Sequence, residues 1–203
     1  MLISPAQRSF LAVATMLSAS NVISDEISFD YVQGTYTFAT VDLGASTDEI
    51  EGNGIGLSLS LSFHQNFSVT LAVLDTTFDT YQGIDTDTIK ITTLGVTAHM
   101  PTGSGSELFA NLSALKAEVQ ATDDAGGKGG SDFGYTASTG VRHFVSDKVE
   151  LEIAVSHAYV FDHANNSLKA DARLYIRKRV SLGIGYIAGD NVDSFSLNLR
   201  LDV

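Results

Sequence analysis

From Asp193 to Val203 the chain reads D-S-F-S-L-N-L-R-L-D-V, apolar at every second position. Phe195, Leu197, Leu199, Leu201 and Val203 share one face of an extended strand, and Ser194, Ser196, Asn198, Arg200 and Asp202 share the other. A period of two marks a strand with unlike faces. Left open, such a strand presents a bare row of backbone donors and acceptors to other chains. The sequence therefore predicts that it is paired, most simply with the first strand. A sheet whose last strand pairs with its first is a closed barrel.

The same alternation recurs along the chain. Tyr31 to Asp42 is the first strand, with Val32, Tyr36 and Phe38 on one face. In Gly54 to Phe63, Ile55, Leu57, Leu59, Leu61 and Phe63 alternate with Gly and Ser. A tight turn at His64–Asn66 leads to Phe67, Val69, Leu71 and Val73. In Thr88 to Met100 the apolar phase slips, from Ile89 and Ile91 to Leu94, Val96, Ala98 and Met100. One extra residue near Thr92–Thr93, a β-bulge, accounts for such a slip, and Leu108 to Ala121 slips similarly near Ser113. Asp123 to Asp132 (D-D-A-G-G-K-G-G-S-D) reads as a loop. Phe133 to Phe144 and Val149 to Phe161 follow. A loop at Asp162 to Asn166 precedes Leu168 to Arg177, and Val180 to Ala188 leads into the closing strand. The count is ten strands in up-and-down order, with eight as the alternative. Turns after the even strands are short, and connections after the odd strands carry most of the loop acid.

No Cys is present among 203 residues, which excludes disulfides and thiolate metal sites. A formal net charge of -12 argues against a nucleic-acid partner. Near the N-terminus, Arg8 is the only charged side chain before Asp25, and Phe10 to Leu17 is apolar but too short to span a bilayer. Residues 1–24 read as a signal peptide cleaved after Ser24, with Ser20 as the alternative, leaving a barrel domain over residues 25–203.

Alternation alone does not say whether the apolar face meets a core or lipid, but three features favour lipid. The polar faces of strands seven, eight and ten carry charge in a regular pattern. Aromatics gather at strand ends: Phe63, Phe67 and Phe144 by the short turns, Tyr159 and Phe161 by the long loops. An even strand count, with short turns at one end and longer loops at the other, is the plan of membrane barrels. The fold class is all-β, a closed antiparallel up-and-down transmembrane β-barrel.

From Asp25 to Val203 the chain resembles the small outer-membrane β-barrel proteins of the OmpA/OmpX and opacity-type superfamily. The resemblance is carried by Y-V-Q-G-T-Y from Tyr31, G-N-G-I-G-L from Gly52 and the closing strand. It departs from that family at the last residue, Val203 in place of an aromatic. It implies a Gram-negative bacterial outer membrane as the location. The implied partners are outer-membrane lipids and, through the C-terminal strand, the barrel-assembly machinery.

Charged residues on the polar faces form the first candidate site: Arg142, Glu150, Glu152, Lys169, Asp171, Arg173, Arg177 and Arg200, joined by Asp202. Glu150 and Glu152 are expected opposite Arg173 or Arg177 and also paired by Arg142. Arg suits this work because its fork satisfies two acceptors at once. These long side chains face small ones, which is how small barrels fill their interiors. The second candidate is an acidic extracellular rim, Asp48, Glu49, Glu51, Asp85, Asp87, Asp123, Asp124 and Asp132, a place for divalent cations or cationic ligands.

Catalytic signals are weak. His64, His99 and His143 lie near short turns, His157 falls on the lipid face, and His163 is in a loop. His157 is followed by Ala158 and Tyr159, so the H-x-S arrangement of lipid-A deacylase barrels is absent. Gly126 to Gly130 lacks the Ser or Thr and the strand–helix setting of a phosphate loop. The expectation is a barrel with no enzyme activity, no cofactor and no bound metal. Its role is structural or surface-interacting, and its interior is salt-bridged and mostly plugged. A narrow porin is the alternative, and a lipid-modifying enzyme ranks third.

Overall fold

The computed structural model describes residues 22–23, 27–28, 30–42, 49–79, 88–103, 105–120, 129–190 and 192–203. Ten of its strands close a barrel: β1 (Tyr31–Asp42), β2 (Glu49–His64), β3 (Phe67–Phe78), β4 (Thr88–Gly103), β5 (Ser106–Gln120), β6 (Gly130–Ser146), β7 (Val149–Val160), β8 (His163–Arg177), β9 (Val180–Gly189) and β10 (Val192–Asp202). Each pairs antiparallel with its sequence neighbours, and β10 pairs with β1 from Val192↔Val41 to Asp202↔Tyr31. Closure leaves no open edge, as the closing strand demanded. Outside the barrel, Val22–Ile23 pairs with Ile27–Ser28. The expected signal peptide lies mostly outside the described residues.

The apolar alternation faces outward. Ile55, Leu57, Leu61, Leu71, Leu112, Ile153 and Leu199 are exposed, whereas Ser58, Ser60, Thr70, Asn111 and Asn198 are buried in the lumen. A soluble barrel would show the reverse. This inside-out distribution defines a membrane barrel, whose strands meet lipid on one face and enclose polar groups on the other. At the short-turn end, the Phe63 and Phe67 rings stack 6.0 Å apart, as amphipathic boundaries favour.

Several expectations need correction. No bulge occurs at Thr92–Thr93 or Ser113: β4 keeps one register with β3 from Thr77↔Thr88 to Phe67↔Ala98, and β5 pairs without a break from Ser106↔His143 to Val119↔Gly130. Register shifts fall instead beside the short turns, at Ser62/His64, Pro101/Gly103, Phe144/Ser146 and Tyr175/Arg177. The apolar phase slips because the surroundings change, not because a residue is inserted. Toward the loop end, Leu74, Ile89, Ile91 and Leu115 turn into the lumen. Polar Asp75, Lys90, Lys116 and Glu118 stand on the outer face of the same strands, and Lys116 Nζ donates to Glu118 Oε1 at 2.8 Å. There the wall has the facing of a water-soluble barrel.

Two connections are also shorter than expected. β8 begins at His163, so the connection from β7 is Phe161–Asp162, both at positive φ (52° and 59°). β2 begins at Glu49, ahead of Gly54. Phe161 packs against the apolar cluster in the lumen, and Phe144 packs on Tyr175 with centroids 5.9 Å apart. Neither ring belongs to a lipid-facing girdle.

Candidate functional site in the barrel interior

The lumen is filled in layers. At the loop end, Ala39 and Val41 of β1, Leu74 and Phe78 of β3, Ile89 and Ile91 of β4, Leu115 and Ala117 of β5, Ala158 and Val160 of β7, and Val192 of β10 form one buried apolar cluster. Ile50, Val119 and Phe161 pack against it. Below lie small hydroxyls, amides and glycines. There Asn111 Nδ2 donates to Thr97 Oγ1 at 2.9 Å, Ser113 donates to Asn111 Oδ1 at 2.7 Å, and Ser156 and Ser167 hydroxyls lie 2.9 Å apart. Glycine is required by close approach at Gly95, where an added Cβ would lie 2.0 Å from Ser113 Oγ.

Charge fills the short-turn end. Arg142 of β6 is its hub: Nε donates to Glu150 Oε1 at 2.7 Å, and Nη2 bonds the same oxygen. Glu152 Oε2 lies 3.6 Å from Arg142 Nε, and Glu107 Oε2 lies 3.7 Å from Nη1. Lys169 Nζ bridges Glu152 Oε1 at 3.0 Å and Asp171 Oδ2 at 2.6 Å. The register explains why Lys169 is needed, because Asp171 stands directly opposite Glu152, a like-charge juxtaposition that is unfavourable without a cation between. Arg173 is 3.8 Å from Glu150 Oε1 and donates to Gln33 Oε1 at 3.3 Å. Tyr175 donates its hydroxyl to Glu150 Oε2 at 2.7 Å. Arg200, fully buried, donates to Asp202 Oδ1 at 2.9 Å and lies 3.8 Å over the Tyr31 ring.

Eight of the nine charges expected inside are there: Arg142, Glu150, Glu152, Lys169, Arg173, Arg200 and Asp202 are buried, and Asp171 joins them through Lys169. Arg177 is not. It is exposed, because the register shift after Tyr175 carries it out of the inward row at the turn. Glu152 engages Lys169 and Arg142, while Arg173 serves Glu150. The sequence reading missed Glu107 and His99, buried and joined Nδ1 to Oε1 at 2.5 Å. Both alternate correctly with outward neighbours, Met100 and Leu108, and that parity was the available signal.

Of the acidic rim, Asp48, Asp85, Asp87, Asp123 and Asp124 lie outside the described residues, as does the Glu49 side chain. Glu51 is exposed on β2. Asp132 accepts the Phe161 backbone N–H at 2.6 Å and so serves as a turn cap. Among the described residues no group of three or more His, Asp or Glu is placed to hold a metal ion.

The family model "Outer membrane protein beta-barrel domain" matches residues 9–187. The chain belongs to that family, and the resemblance read from its strands holds. No curated protein matches the chain. Among solved structures, the translocator domain of autotransporter NalP from Neisseria meningitidis is 10% identical with a TM-score of 0.52, over 98% of this chain and 95% of that one. The beta domain of the Bordetella autotransporter BrkA is 13% identical, TM-score 0.52, over 87% and 100%. Ail, the attachment invasion locus protein of Yersinia pestis, is 12% identical, TM-score 0.48, over 85% and 97%. At such identities the first two likenesses concern the fold alone.

Proposed function

We propose that this protein is a non-conducting barrel of the bacterial outer membrane, with a structural or surface-interaction role. The observation that carries the reading is the apolar cluster at the loop end. Its side chains come from β1, β3, β4, β5, β7 and β10 and are buried against one another across the lumen. A hydrated ion passing there would shed its water shell against carbon, a cost that scales with the loss of solvation. The charge network beneath is internally paired, which suits a filled base better than a conducting lining. On this reading residues 1–24 are the export signal, the closing strand engages the assembly machinery, and the acidic loops meet cationic ligands or partners.

Single-channel recording in planar bilayers tests the reading. The wild-type barrel is expected to pass no steady current. A variant with Leu74, Ile91 and Leu115 all changed to Ser is expected to pass one. Ohmic conductance from the wild type would establish the narrow porin instead.

A further inference from the structure

One corner of the short-turn end is basic, against the balance of a chain with a net charge of -12. Lys148 lies on the β6–β7 turn, and Arg177, Lys178 and Arg179 lie at the β8–β9 turn. All four are exposed. The two turns are neighbours, since Tyr175 N donates to the Lys148 carbonyl at 2.8 Å. Asp147 is the only acid on either turn. Among the described residues, none of the four cations forms an ion pair within the protein. By contrast, Lys90 and Lys116 on the outer wall near the loops stand beside Asp75 and Glu118.

A second feature begins where these turns end. An apolar groove of about 470 Å³ lies on the outer wall from β7 to β10. Val149, Leu174, Leu182, Ile184 and Leu197 line it around the small Ala172. Register explains the hollow. Ala172 pairs with Ile184, which pairs with Leu197, and Leu174 pairs with Leu182, so one methyl is ringed by larger side chains. Val149 directly follows Lys148, Leu174 precedes Arg177 by three residues, and Leu182 follows Arg179 by three. At about 3.3 Å per residue, the cations stand roughly 10 Å from the groove. Arg and Lys engage phosphate oxygens through charge-assisted hydrogen bonds, and basic clusters at a membrane margin attract anionic headgroups. Short turns of such barrels face the periplasm, so this corner meets the phospholipid leaflet.

We propose that the corner binds an anionic phospholipid, its phosphate among Lys148, Arg177, Lys178 and Arg179 and an acyl chain in the groove over Ala172. The inference rests on the membrane reading above. Native mass spectrometry of the protein released from micelles holding equimolar dioleoyl phosphatidylglycerol, phosphatidylcholine and phosphatidylethanolamine tests it. Phosphatidylglycerol adducts should exceed each of the others by roughly tenfold, as several cations acting on one anion imply. Changing Arg177, Lys178 and Arg179 together to Gln should bring the ratios close to one. Ala172→Phe fills the groove and keeps every cation, and it should still lower phosphatidylglycerol retention severalfold. That variant separates a seated lipid from loose attraction to the rim. Heat-modifiable electrophoretic mobility confirms folded barrels. Lys148→Gln with Arg177→Gln replaces the triple variant, and Ala172→Leu replaces Ala172→Phe, where the first choice does not fold. Wild-type retention of phosphatidylglycerol no greater than that of either other lipid overturns the proposal. So does a preference unchanged in the folded charge variant, or a retention unchanged in the folded groove variant. Failure of the wild-type barrel to enter micelles at all would instead overturn the membrane reading.

Discussion

The two ends of the lumen are filled by opposite chemistries. At the loop end, aliphatic side chains from most of the circumference meet in a dry layer. At the short-turn end, Arg142, Lys169, Arg173 and Arg200 interleave with Glu107, Glu150, Glu152 and Asp171. The apolar layer is non-directional, and its members need only fit. The charged base is directional, and each carboxylate has particular cations that its register brings within reach. The difference shows in what a deletion leaves behind, a void in one case and an unpaired ion in the other.

The largest expected effect follows. Arg142→Ala removes the cation that Glu107, Glu150 and Glu152 share, leaving them to His99, Arg173 and Lys169, and breaking a buried pair costs about 3–5 kcal/mol. Denaturant unfolding in detergent should show a loss of that size. A loss below about 1 kcal/mol would mean that water screens the base, as for an exposed pair. Next comes Ile91→Ala, which opens a cavity in the apolar layer and should cost about 2–5 kcal/mol. Leu94→Ala, on the outward face of the same strand and 57% exposed, should cost far less because lipid fills the gap. Equal losses would erase the distinction between lumen and lipid. A double-mutant cycle of Glu152→Gln with Lys169→Met should show a coupling of about 0.5–3 kcal/mol, while Glu152→Gln with Arg173→Gln should be closer to additive. The smallest effect belongs to Lys90→Ala. Lys90 stands opposite Asp75 on the outer face, where the wall is expected to be in water, so the loss should stay within about 0–1 kcal/mol. A larger loss would place that wall inside the bilayer.

Much of this was legible because strand parity is a local property. The alternation of Phe195 to Val203 gives the lipid face of β10, and the same parity puts Glu150, Glu152 and Arg173 inside. Parity does not reveal what lies beyond each face. Ile89 and Ile91 look like an out-of-phase lipid face until the lumen near them is known to be apolar. Which carboxylate meets which cation depends on register between strands, and the pairing of Glu152 with Lys169 rather than Arg173 was therefore not readable. Arg177 shows the remaining weakness. Alternation extrapolated through a turn fails when a register shift ends the strand, as after Tyr175.

The early change of facing on β3, β4 and β5 also shapes the belt that meets hydrocarbon. On these strands the outward apolar run ends at Val73, Leu94 and Ala114, before Asp75, Thr92 and Lys116. On β9 and β10 it continues to Ala188 and Phe195, close to the loops. A belt of uneven height cannot match a slab of uniform thickness around its whole circumference. Such mismatch is relieved by leaning the barrel or by thinning the hydrocarbon beside the short side. In either case the molecule acquires a front and a back within the plane of the membrane.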